Sequence, residues 1–117
     1  MVDPSDESYP QRRERIRELN DAFRASFRGG RVLLTQGVNS LDEADRGAVL
    51  ELVRSFTQFD VDRDPHGEHD FVSVTHDGTT YFAKIDYYDL RMEYASEDPS
   101  DPSRTVRVMT IMRADEY

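Results

Sequence analysis

A chain of 117 residues suits one domain with a single modest core, and its 37% hydrophobic and 33% charged residues fall on the polar side of globular composition. No run approaches the roughly 18 consecutive apolar residues of a membrane span, Met1–Pro10 lacks the basic start and apolar stretch of a secretory signal, and the absence of cysteine removes disulfides, thiolate nucleophiles and thiolate-bound zinc. The net charge of −9 is lopsided: Met1–Phe59 holds 9 basic and 10 acidic residues, Asp60–Tyr117 holds 6 and 14. A negative field of that kind disfavours direct nucleic-acid binding by the second half and attracts basic protein surfaces. A cytoplasmic location and no membrane contact are expected.

In chain order, residues 1–10 read as a disordered tail, with Pro4 and Pro10 bracketing polar residues. A single domain over residues 11–117 follows. The first helix is predicted from Gln11 to Arg28, with Ile16, Leu19, Phe23 and Phe27 on one face and Arg12, Arg13, Arg15, Arg17 and Arg24 on a solvated one. Gly29-Gly30 supplies its left-handed stop. Arg31–Gln36 reads as a strand. Ser40-Leu41-Asp42-Glu43 matches a capping box with Ser40 as N-cap. It opens a helix to Ser55 that buries Leu41, Ala44, Ala48, Leu52 and Phe56.

Asp60–Gly67 is an acidic loop leading into a hairpin. Asp77-Gly78 suits a type I′ turn, because both residues tolerate positive φ. That centre pairs His76 with Thr79, Val74 with Tyr81 and Val72 with Ala83. Alternation then puts Val72, Val74, Tyr81, Ala83, Ile85 and Tyr87 on a core face and Phe71, Ser73, Thr75, Phe82, Lys84 and Asp86 on the other, with His69 opposite Asp86. Leu90–Ala95 alternates as a half-exposed strand, Ser96–Ser103 is a loop, and Arg104–Met112 reads as a central strand, apolar on both faces. The expected architecture is α+β: two helices packed on one face of a mainly antiparallel sheet of about four to five strands, in the order helix, strand, helix, strands.

Chemistry-bearing residues gather in Asp64-Pro65-His66-Gly67-Glu68-His69-Asp70-Phe71 and Lys84-Ile85-Asp86-Tyr87-Tyr88-Asp89. As a metal site, His66 and His69 with Glu68, Asp70 or Asp86 are of the right type. The spacing, however, is not a helical His-Glu-x-x-His, and alternation sends Glu68 and His69 to opposite faces. No cofactor is expected. As an acid–base site, Asp86 orients His69 while Lys84 holds an anion. The alternative is a cross-strand pair that fixes register. Phe71 and Phe82 are core if the second helix covers their face. If they are exposed, they form an aromatic protein-binding patch rimmed by acids.

These runs, together with Arg17-Glu18-Leu19-Asn20-Asp21, Arg28-Gly29-Gly30-Arg31-Val32 and Thr110-Ile111-Met112-Arg113-Ala114-Asp115-Glu116-Tyr117, resemble the domain-of-unknown-function family numbered 3768. The resemblance covers about Ile16 to Tyr117. It implies a small acidic bacterial protein, often encoded on mobile elements, and carries over no activity or catalytic residue. The functional expectation is a non-enzymatic interaction protein that binds a basic protein surface, including an inhibitor of a nucleic-acid-handling or defence system of the anti-CRISPR type. Its binding residues are expected to be Asp62, Asp64, His66, Glu68, Tyr87, Tyr88, Asp89, Glu97, Asp98 and Asp101. The alternative is a small metal-dependent or acid–base enzyme centred on His66, His69, Lys84 and Asp86.

Overall fold

A computed structural model describes residues 9–117; most of the expected tail over residues 1–10 lies outside the described residues. Helix α1 (Tyr9–Ser26) starts two residues earlier than the pattern suggested, with Pro10 in its first turn, where no helical amide is needed. The short helix α2 (Gln36–Asn39) and helix α3 (Glu43–Arg54) follow strand β1 (Arg31–Leu34), and then come β2 (Phe71–His76), β3 (Thr79–Tyr88), β4 (Val106–Arg113) and a closing 3-10 turn, Ala114–Glu116. The sheet order is β1-β4-β3-β2, with β1 parallel to β4 and the other pairs antiparallel. The fold is α+β, as expected, and β4 is central.

The hairpin register is the predicted one: Val72 faces Ala83, Val74 faces Tyr81 and His76 faces Thr79. Asp77 (φ 49°) and Gly78 (φ 75°) both take positive φ, so the strands join through the primed turn that matches their twist. Val72, Val74, Tyr81, Ala83 and Ile85 are buried on one face, where they meet Met109 and Ile111 of β4, Phe23 of α1, Val38 of α2, and Val49 and Val53 of α3.

Four details of the sequence pattern are corrected. The residue that stops α1 is Phe27 (φ 58°), whose amide bonds the Phe23 carbonyl at 2.7 Å, with Gly29 two residues later. Asp42, not Ser40, caps α3: its side chain accepts the Asp45 amide at 2.8 Å, while Ser40 closes α2. α3 buries Val49 and Val53 and leaves Ala44 and Leu52 exposed, with Leu41, Ala48 and Phe56 partly buried. Leu90–Ala95 is no strand: Met92 (φ 60°) breaks the extended run, and only a single Tyr88–Ala95 bridge forms. Leu90 and Tyr94 are accordingly exposed.

All three helices lie on the Val72 side of the sheet. On the opposite side Phe71 and Phe82 pack 4.9 Å apart, and Tyr117 stands edge-on to both at 6.2 and 5.8 Å while remaining 71% exposed. Leu33 on the same side is 53% exposed. Of the two arrangements open for Phe71 and Phe82, the one in which the second long helix covers their face is therefore excluded. A single helical layer has only one face of the sheet to cover, and it takes the more continuously aliphatic one.

Candidate functional site

The segment Asp60–Asp70 winds around one buried carboxylate. Asp64 accepts the amides of Glu68 at 3.1 Å and of His69 at 3.2 Å, and its own carbonyl accepts the Gly67 amide at 3.0 Å. Gly67 and His69 both take positive φ (67° and 55°). The left-handed backbone at His69 ends the alternation that would have set it beside Asp86 and swings its ring toward α1. There Nδ1 lies 2.8 Å from Asp21 Oδ1, Nε2 lies 3.6 Å from Asp64 Oδ2, and the ring stacks on Phe59 with centroids 3.7 Å apart. Arg24 closes the group. It donates to Asp21 at 2.7 Å and to the His69 carbonyl at 3.1 Å, and its guanidinium lies over Phe59 at 4.7 Å.

A second polar layer lies deeper. Asn20 is fully buried; its amide donates to the Glu68 carbonyl at 2.9 Å and to the Tyr87 hydroxyl oxygen at 2.8 Å, and its carbonyl accepts Arg107 Nε at 2.9 Å. Tyr87 donates onward to Glu68 Oε1 at 2.8 Å, and Arg107 donates to the Pro99 carbonyl. Burial foremost raises the Tyr87 pKa and lowers that of Arg107. Each group is satisfied by the next, which is the condition for a buried polar chain to be tolerated. The two layers fasten α1, the acidic loop and the sheet together.

Two openings flank this structure. A cleft of about 370 Å³ is lined by Asp21, Arg24, Arg54, Phe56, Phe59 and His69. A notch of about 330 Å³ at the sheet end is lined by Asp70, Lys84, Asp86, Tyr88 and Ala95. In the notch Lys84 Nζ is 3.4 Å from Asp86 Oδ1. The Asp70 pKa is raised, first by burial and then by the neighbouring Glu68 and Asp64 charges. No lysine or arginine among the described residues forms an ion pair with it.

The expected site residues therefore divide. His69 and Asp86 are not partners: the ring turns to the helical side and the carboxylate to the open side, with Lys84. His66 is exposed in the loop and does not join them, so the expected ligand set His66, His69 and Asp86 does not converge. Asp64 and Tyr87 are internal structural groups, and Glu68 is half committed to Tyr87. Asp62 is exposed, and Tyr88 shares the open face with Lys84 and Asp86. Asp89 caps the return turn by accepting the Glu93 amide at 3.0 Å, Glu97 pairs with Arg104 at 3.1 Å, and Asp98 and Asp101 accept from Ser100 and Ser103.

The sequence pattern does not mark Asn20, Asp21 or Arg107 as site residues, and Arg24, expected on the solvated face of α1, is instead buried. The only local signals were Asn20 four residues after Ile16 on the buried stripe and Arg107 inside an apolar strand. Also passed over was His76, whose Nε2 lies 2.9 Å from Asp45 Oδ1 and 3.6 Å from Asp77 Oδ2.

No helix among the described residues is long and apolar enough to cross a membrane. Neither the curated proteins nor the solved structures include a match to this chain. The model of one family, described as "Protein of unknown function (DUF3768)", matches residues 34–116, which take in α2, α3, the acidic loop, the hairpin and β4. With that match spanning most of its length, the chain belongs to the DUF3768 family.

Proposed function

We propose that the chain is a non-enzymatic interaction protein whose open sheet face and adjoining acidic notch receive a basic protein surface. The observation that carries this reading is Asp70. It is half-buried beside two other carboxylates with His66 as a partial counter-charge, forms no ion pair with a lysine or arginine among the described residues, and lines a notch with Asp86 and Tyr88. A carboxylate held at that cost is relieved by a guanidinium or ammonium brought in from outside. Beside the notch, Phe71, Phe82 and Tyr117 supply the aromatic contact area that anchors interfaces, and the acidic excess of the second half speeds encounter with a cationic partner.

Nucleic-acid-binding proteins offer arginine- and lysine-rich grooves. The same surface therefore suits an inhibitor that occupies such a groove, anti-CRISPR-type action included. The enzymatic alternative has less support, because His66, His69, Lys84 and Asp86 do not assemble and the His69 nitrogens face Asp21 and Asp64.

Titrating labelled protein with an arginine-rich peptide and following backbone amide shifts tests the reading. Shifts clustered on Asp70, Lys84, Asp86 and Tyr88, weakened by salt and by Asp70→Asn, are expected. Shifts confined to the helical side, or none, would refute it.

A further inference from the structure

We propose that Asp45, His76 and Asp77 form a binding site for a divalent first-row transition ion, zinc foremost, at the hairpin tip. Three ligand-type atoms, one from each residue, lie within 4.8 Å of one another. His76 Nε2 is 2.9 Å from Asp45 Oδ1 and 3.6 Å from Asp77 Oδ2. Zinc bonds of about 2.1 Å in a tetrahedron place ligand atoms about 3.4 Å apart, so these two spacings bracket what the ion requires.

The ligands also come from two separately fixed pieces of chain, helix α3 and the hairpin tip. Asp45 stands in the first turn of α3, held by the Asp42 cap; His76 ends β2; Asp77 opens the primed turn. The site is thus formed by the docking of the hairpin against the helix, and no element carries it alone.

Charge distinguishes this group from an ordinary ion pair. Asp45 and Asp77 both lie against His76, and no lysine or arginine among the described residues forms an ion pair with either carboxylate. One imidazolium offsets a single carboxylate, whereas a divalent ion offsets two and leaves the imidazole neutral to coordinate it. The donor set of one imidazole and two carboxylates suits zinc, cobalt or nickel and not the all-oxygen preference of calcium or magnesium. Asp77 is 81% exposed and His76 only 23%, so one side of the cluster faces solvent and leaves the remaining coordination positions to water.

The test uses the full chain, stripped with chelator, titrated with Zn²⁺ by calorimetry and with Co²⁺ by visible absorption. One Zn²⁺ per chain, cobalt bands displaced by zinc and a melting temperature that rises with zinc concentration are expected. Asp77→Asn keeps a residue that suits the primed turn and should weaken zinc affinity at least about ten-fold, as loss of even an outer-shell partner commonly does. His66→Ala, which alters an exposed histidine elsewhere, should leave that affinity unchanged. Absence of saturable binding at millimolar metal, or equal affinity in Asp77→Asn and the wild type, overturns the assignment.

Discussion

Replacing Asn20 should unfasten the domain far more than the loss of one small side chain suggests. Asn20→Ala removes partners from the Arg107 Nε donor, the Glu68 carbonyl and the Tyr87 hydroxyl at once. Tyr87 still donates to Glu68 and Arg107 still donates to Pro99, so the main penalty falls on Arg107 Nε and the Glu68 carbonyl. At about 1–3 kcal/mol for each buried group left unpaired, with the charged one at the upper end, the loss is about 3–5 kcal/mol. That is a large share of the roughly 5–15 kcal/mol that holds a domain together. With a urea slope of about 1.3 kcal/mol/M, the midpoint should fall by about 2–4 M.

Asn20→Leu separates this effect from a simple cavity. Leucine fills the volume but bonds nothing, so a void-based account predicts recovery and the polar account predicts a loss nearly as large as alanine's. Pairing Asn20→Leu with Arg107→Met removes the stranded cation and should recover part of the deficit. An Asn20→Leu protein within about 1 kcal/mol of wild type would refute the claim that this network binds α1 to the sheet.

Three further outcomes are expected. Gly78→Val forces a β-branched residue into φ near 75° and should lower the melting temperature, whereas an unchanged midpoint in thermal denaturation would remove the primed-turn assignment. The Glu116 pKa is lowered, first by the Thr35 hydroxyl at 2.7 Å and then by the Arg113 amide; its contribution is therefore present above the unfolded pKa and lost as pH falls through the folded one, so Glu116→Gln should flatten the acid limb of a stability–pH curve below about pH 5 while Asp45 and Asp101, also lowered, keep part of it. The Asp70 pKa is raised instead, so its charge costs folding stability once pH exceeds the unfolded value; Asp70→Asn should raise the urea midpoint at pH 7 while weakening binding of the arginine-rich peptide, and a lower midpoint would show that the carboxylate is structural.

The hairpin was legible because its information is local. Asp77-Gly78 fixes the turn, the turn fixes the register, and period-two alternation then assigns every side chain from Phe71 to Tyr87 to a face. His69 was misplaced for the opposite reason. A histidine at φ 55° has no marker in the residue itself; it is held there by Asp64, whose carboxylate gathers the two amides that a turned backbone presents. Asn20 and Arg107 were invisible because a polar residue is buried only when a partner distant in sequence meets it, and Asn20 and Arg107 lie 87 residues apart. The half-covered sheet could not be read from β4 either: Val108 and Met112 are buried on the open side although no helix covers that side.

Under the proposed reading, these placements decide which parts of the molecule a partner would meet. On the helical side the acidic loop has its polar capacity occupied by the fold: Asp64 holds the loop amides, Glu68 and Asn20 hold Tyr87, and Asp21 holds both Arg24 and His69. On the open side the balance is reversed. Phe71 and Phe82 pack on one another with Tyr117 edge-on and 71% exposed, and Lys84 meets Asp86 across a partly solvated gap; at the sheet end Asp70 lies beside the Glu68 and Asp64 charges. A group whose environment opposes its charge, next to apolar area left in water, gains in both respects when a cationic surface arrives. The histidine that draws attention in the sequence builds the scaffold, and under the proposed reading the half-buried carboxylate beside it, in the notch at the sheet end, is where a cation would be met.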